Sequence, residues 1–159
     1  MCRFHATKVI IGLCALFVGL TATSAWADGS PFMGRWHWNR AQSTLLPGDP
    51  VPTDITADIS RVDRTHIKYS TTVTDAQGNR TIDHFDTPAN GEFYPISSDT
   101  TASFQLIGNT LQATFKGPAD KSDSLTCSLS TDQRKMTCNG IVSREAGKTA
   151  TYVDVYDRS

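Results

Sequence analysis

Leu125-Thr126-Cys127-Ser128-Leu129 and Lys135-Met136-Thr137-Cys138-Asn139-Gly140-Ile141-Val142 flank the polar stretch Ser130-Thr131-Asp132-Gln133-Arg134. Each flank alternates apolar and polar residues, the period of a strand with one covered face. The stretch between them has turn chemistry. Folding the segment at Asp132-Gln133 sets Leu129 against Met136, Cys127 against Cys138 and Leu125 against Gly140. The two cysteines then oppose each other on the apolar face. Directly opposed residues bring their Cβ atoms to about 4.5–5.5 Å or closer, near disulfide distance. The pair predicts a structural disulfide. It lacks the Cys-x-x-Cys spacing of a redox dithiol.

The same alternation recurs on both sides. Strands are predicted over residues 33–39, 54–63, 66–75, 80–86, 102–107, 110–116, 124–130, 135–143 and 149–157. Ala76-Gln77-Gly78-Asn79, Gly108-Asn109 and Glu145-Ala146-Gly147 supply hairpin links. Ile55, Ala57 and Ile59 share a face, as do Phe104 and Leu106, then Leu111, Ala113 and Phe115. In the last strand Val153 and Val155 are expected inside, with Tyr152, Asp154 and Tyr156 opposite. Only residues 40–45 suggest a helical turn. Residues 43–53 and 87–100 are expected as rim loops. Eight or nine hairpin-linked strands with one apolar face can cover it by closing into an up-and-down barrel, which also removes sheet edges. The expected fold is therefore an all-β antiparallel barrel, with a two-sheet sandwich as the alternative.

The first 27 residues read differently. Arg3 and Lys8 precede an apolar run over residues 9–20, and Ala25-Trp26-Ala27 ends it with small residues. That is the layout of a cleavable export signal. The run is too short for a stable membrane anchor. Cys14 follows Leu13 rather than a small residue, unlike a lipoprotein acylation site. Residues 28–159 are then a single domain in the periplasm or outside the cell, where Cys127 and Cys138 can oxidise. Loss of the two basic residues moves the formal charge from −1 to −3. No basic cluster remains to neutralise phosphates, which argues against nucleic-acid binding.

Gly34-Arg35-Trp36 on the first strand resembles the Gly-x-Trp signature of the calycin superfamily, chiefly the lipocalins. There the Trp seals one end of the barrel and a late Arg packs across its ring. Arg158, in Tyr156-Asp157-Arg158, is the matching residue here. The mature chain is also similar to small exported lipocalin-like proteins of bacteria, on Asn39-Arg40-Ala41-Gln42-Ser43, Tyr94-Pro95 and the Tyr-Asp-Arg end. The resemblance implies structural roles for Gly34, Trp36 and Arg158, and a barrel able to hold a small molecule.

Candidate pocket residues are the aromatics Tyr69, Phe85, Tyr94, Phe104 and Phe115, with Trp36 as floor. Asp83-His84-Phe85-Asp86 joins them as a polar-aromatic knot, because Phe85 and Asp83 share one face, and His84 and Ile82 the other. A carboxylate or imidazole turned inward there could bind a polar ligand group. His37, His66 and His84 are too scattered for a structural metal site. No catalytic elbow, phosphate loop or dinucleotide fingerprint occurs, so neither cofactor nor catalytic residue is assigned. The expected function is binding of a small apolar or amphipathic ligand. A second expectation is an exported inhibitor of a protease or lysozyme. Metalloprotease inhibitors are similar in size, Gly-x-Trp start and single disulfide. Those use an N-terminal arm; here residues 28–32 would make a short one, so a loop such as residues 87–100 would contact the protein partner instead. A third is a barrel isomerase or cyclase, with Asp83 or His84 inside a cavity.

Overall fold

The computed structural model describes residues 29–144 and 147–159. The proposed signal segment, residues 1–27, and most of the Glu145-Ala146-Gly147 turn lie outside the described residues. Ten strands follow in order: β1 Gly34–Trp38, β2 Asp54–Val62, β3 His66–Thr74, β4 Arg80–Pro88, β5 Asn90–Pro95, β6 Thr101–Ile107, β7 Thr110–Lys116, β8 Ser122–Leu129, β9 Lys135–Ser143 and β10 Thr149–Arg158. Each pairs antiparallel with its sequence neighbour, except that β4 and β5 form no ladder. β1 also pairs with β10, so the sheet order is β4-β3-β2-β1-β10-β9-β8-β7-β6-β5. This is the expected barrel, nearly closed, with a seam between β4 and β5.

The nine expected strands are present, each within two residues at either end. The tenth, β5, comes from the middle of the expected 87–100 rim loop. Asn90-Gly91-Glu92 has turn chemistry, but the sheet absorbs it as a register shift between Asn90 and Phe93 before Phe93 pairs with Ser103 and Tyr94 with Ala102. The expected rim loop over residues 43–53 instead lies against the sheet at its start. The 3-10 turn Arg40–Gln42 packs on β10. Thr44 bridges Val153, and Arg144 pairs with Asp49 at 2.7 Å.

Cross-strand partners fix the inner face. Leu106, Leu111, Cys127, Cys138 and Asp154 run round the barrel as successive partners, as do Phe104, Ala113, Leu125, Gly140 and Tyr152. The inner residues of β10 are therefore Tyr152, Asp154, Tyr156 and Arg158. The expected assignment of Val153 and Val155 to the interior is reversed. Val155 is buried from the other side, where its backbone bonds Asn39 and Ser43 of the turn after β1. An outer covering satisfies an apolar valine as well as a core does.

Cys127 and Cys138 are directly opposed and disulfide-bonded, with Cα atoms 4.0 Å apart, both in the core. At the base of the barrel Trp36 is fully buried. Its Nε1 donates to the Phe32 carbonyl at 2.8 Å. The Arg158 guanidinium lies 4.1 Å over its ring. The same guanidinium donates to the carbonyls of Met33 (2.6 Å), Gln133 (2.8 Å) and Pro31. It ties the N-terminal segment, the β8–β9 turn and both terminal strands together. Gly34 makes this possible: its φ is +126°, and a Cβ there would lie 2.8 Å from Arg158 Nη1.

Arg158→Ala is expected to cost about 3 kcal/mol in urea unfolding, from lost charged hydrogen bonds and the cation–ring contact. Arg158→Lys should recover only a minor part, since one ammonium cannot serve three carbonyls and a ring face at once. Reducing the Cys127–Cys138 bond closes no new contact but frees a short loop. The same titration with and without dithiothreitol should show a loss of about 2–3 kcal/mol.

Candidate ligand cavity

Four rings meet inside the barrel. Tyr69 on β3 stacks on its cross-strand neighbour Phe85 on β4, with centroids 4.5 Å apart and planes 13° from parallel. Phe104 on β6 and Phe115 on β7 sit edge-on to each other at 5.7 Å. Phe85 reaches both, at 6.2 Å and 5.9 Å. Such offset and edge-to-face pairs are the favoured arrangements of ring quadrupoles. Their placement matters more than their count. They join β4 to β6 and β7 across the seam where β4 and β5 have no ladder.

The rings border an internal cavity of about 210 Å³. Its remaining wall is apolar, from Ile59, Ile67, Leu111 and Met136 among others, with the disulfide on one side. The polar side chains on the wall are Tyr69, Tyr156 and Thr71. Neither phenol has a hydrogen-bond partner among the described residues, and burial pushes both well above the usual phenol range. A larger cleft of about 750 Å³ opens at the base of the barrel, lined by Phe32, Val62 and Leu106 together with exposed turn residues such as Arg64, Gly108 and Asn109.

The candidate residues read from the sequence divide into two sets. Tyr69, Phe85, Phe104 and Phe115 come together on the cavity wall. Trp36 lies beneath it, sealed by Phe32 and Arg158, and does not reach the cavity. Tyr94 turns its hydroxyl to the surface, accepting from Asn90 Nδ2 at 2.9 Å and donating to Glu92 Oε2 at 3.1 Å. His84 is exposed and on the outer face, because its neighbour Phe85 faces inward. Asp83 shares Phe85's face, but one step nearer the open end it is exposed. A reaction that needs His84 inside the barrel is therefore not served by this arrangement. The contacts proposed for an inhibitor also change: β5 lies in the sheet, and Phe32 is buried at the base rather than free in an arm.

The sequence expectation puts Tyr152, Asp154 and Tyr156 on the outer face of β10 and assigns no role to Asp123 of β8. Tyr152 crosses Gly140, where a Cβ would come within 2.1 Å of its ring, so the glycine opens a bed for the phenol. Tyr152 donates to Asp123 at 2.9 and 3.0 Å. Burial raises the Asp123 carboxyl; that hydrogen bond lowers it again, and the charge of Asp154 adds to the rise. Asp154 accepts from Trp38 Nε1 at 2.9 Å, and burial raises it too. A signal for this set was present. The resemblance puts Arg158 over Trp36 at the barrel's end, and residues 152, 154 and 156 share its parity along the strand.

No protein-family model matches the chain, and no curated protein matches it in sequence. Its fold does match solved structures. The wild-type fluorescent protein UnaG superposes with a TM-score of 0.54 at 17% identity, over 80% of this chain and 97% of that one. The zebrafish ileal bile acid-binding protein, solved with cholic acid, gives 0.54 at 15% identity, over 82% and 100%. Rv2717c from M. tuberculosis gives 0.53 at 11%, over 82% and 94%. The chain thus shares the fold of these proteins, an all-β antiparallel barrel that is nearly closed.

The folded state holds a proton on Asp154 more tightly than the unfolded chain does. Stability is therefore lost as pH rises from the ordinary carboxylate range through the raised value. Asn at this position keeps a carbonyl acceptor for Trp38 and carries no charge. Asp154→Asn should melt a few degrees above the parent at pH 7. The gap should shrink as the pH falls into the range where Asp154 is protonated. Thermal melts across pH check both parts.

Proposed function

We propose that this protein is an exported binding module, not an enzyme, that holds one small apolar or amphipathic molecule inside its barrel. The observation that carries the reading is the 210 Å³ internal cavity walled by Tyr69, Phe85, Phe104 and Phe115. A dry apolar cavity of about 150 Å³ already takes up benzene, while drug-sized ligands use about 300–1,000 Å³. The space suits a small ring system or a short alkyl chain. The zebrafish ileal bile acid-binding protein, which has the same fold, was solved with cholic acid, and this supports binding of a small amphipathic molecule. Export is supported by the sequence pattern of residues 1–27 and agrees with a bonded Cys127–Cys138 pair.

Ala113 sits on the cavity wall between Phe104 and Leu125 in register. A ring placed there fills the space a ligand needs. Octanol titrated calorimetrically into the oxidised protein should bind saturably with one site, and Ala113→Phe should weaken it by about tenfold or more. Absence of saturable binding of octanol and of its amine and acid counterparts, octylamine and octanoate, to the parent protein would sink the reading.

A further inference from the structure

The walls of the cavity are apolar, so its preference for charge is set by the groups at its open end. Three carboxylates stand there on three strands. Asp83 is the cross-strand partner of Thr71, Asp123 of Phe115, and Asp154 of Cys138; all three partners line the cavity. Asp123 and Asp154 are half-buried. Their hydrogen bonds come from neutral donors, the Tyr152 hydroxyl and Trp38 Nε1, which serve the ionised form. Among the described residues none of the three carboxylates forms an ion pair with a basic side chain. No Lys, Arg or His lines the cavity. Of the basic side chains beside the β7–β8 and β9–β10 turns, Arg144 pairs with Asp49 and Lys116 lies over the outward Phe93 ring. A second observation points to a ligand. The phenols of Tyr69 and Tyr156 face the same cavity without a partner, and their rings and those of Phe85 and Phe115 offer the electron-rich faces that attract a cation.

A fatty acid or bile acid would bring a carboxylate to this end. It would meet no basic side chain on the cavity wall, two half-buried like charges beyond it, and the cost of lost hydration. A protonated amine meets the opposite situation. It supplies the counter-charge that Asp123 and Asp154 lack, and its hydrogens can reach carboxylate oxygens while its carbon body displaces nothing polar. We infer that the ligand is an organic cation, a primary or substituted amine on a small apolar body, with its charge at the Asp123–Asp154 end and its body among the four rings. The inference rests on the proposal that the cavity binds a ligand and goes on to name the class. It separates this barrel from carriers of anionic lipids that share its fold.

Three probes of one chain length separate the two questions. Octylamine, octanol and octanoate are titrated into the oxidised protein at pH 7 and low salt, where the amine is protonated and the acid ionised. Octylamine should bind at least tenfold more tightly than octanoate, with octanol between them. The double variant Asp123→Asn, Asp154→Asn should lose about tenfold for octylamine and gain for octanoate, while octanol changes less than threefold and so reports an intact cavity. Octanoate binding as tightly as octylamine overturns the inference, as does octylamine binding that ignores the double variant; octanol binding then leaves the cavity reading standing. Failure of all three probes removes both. Should the double variant not fold, each single variant is compared with its parent in the same three titrations, and an octylamine affinity unchanged in both counts against the inference.

Discussion

Arg158 holds the face of Trp36 and three backbone carbonyls with one guanidinium, and the barrel's base is built around that contact. The carbonyls belong to Pro31, Met33 and Gln133, so the N-terminal segment, β1, β10 and the β8–β9 turn converge on a single side chain. Gly34 is bare because the guanidinium needs its space. With the first and last strands joined there, the meander has only one remaining seam, between β4 and β5. A partly buried guanidinium is costly to desolvate, and the three carbonyls that accept from it offset that cost.

The seam is closed by rings rather than by backbone hydrogen bonds. Phe85 stands on β4 while Phe104 and Phe115 stand beyond the gap, and Tyr69 braces Phe85 from behind. Side-chain contacts of this kind are less directional than a ladder, and they leave room between them. The cavity follows from that choice. A tenth ladder with a filled interior would have closed the barrel and removed the space for a ligand.

The interior is graded from one end to the other. At the base lie Trp36, Phe32 and Ile67, almost wholly buried. Toward the open end the inner face becomes Thr71, Tyr152, Asp123 and Asp154. Half-buried carboxylates without counter-charges do not serve stability, because burial penalises their ionised form. Their presence on an inner face is the kind of local conflict that marks a site rather than a scaffold.

Much of this molecule was legible in the chain itself. Period-two alternation and turn residues gave nine of the ten strands, since side chains of a strand must alternate faces whatever surrounds them. Opposed cysteines set the β8–β9 register, and Gly34, Trp36 and Arg158 marked the base. Four of the pocket aromatics were identified because large rings on covered faces have few other places to go. Other features depended on partners distant in sequence. β5 carries turn chemistry and is a strand only because β6 offers it a ladder. β10 has apolar residues on one face and Tyr, Asp and Arg on the other, and alternation cannot say which face is inside. The turn after β1 decides it by covering Val155 from outside, which sends Tyr152, Asp154 and Tyr156 into the barrel. Local periodicity determined that the chain makes strands with two unlike faces. Only the tertiary structure decided which face of the last strand is buried, because burial is set by what packs against a surface, not by the residues on it alone.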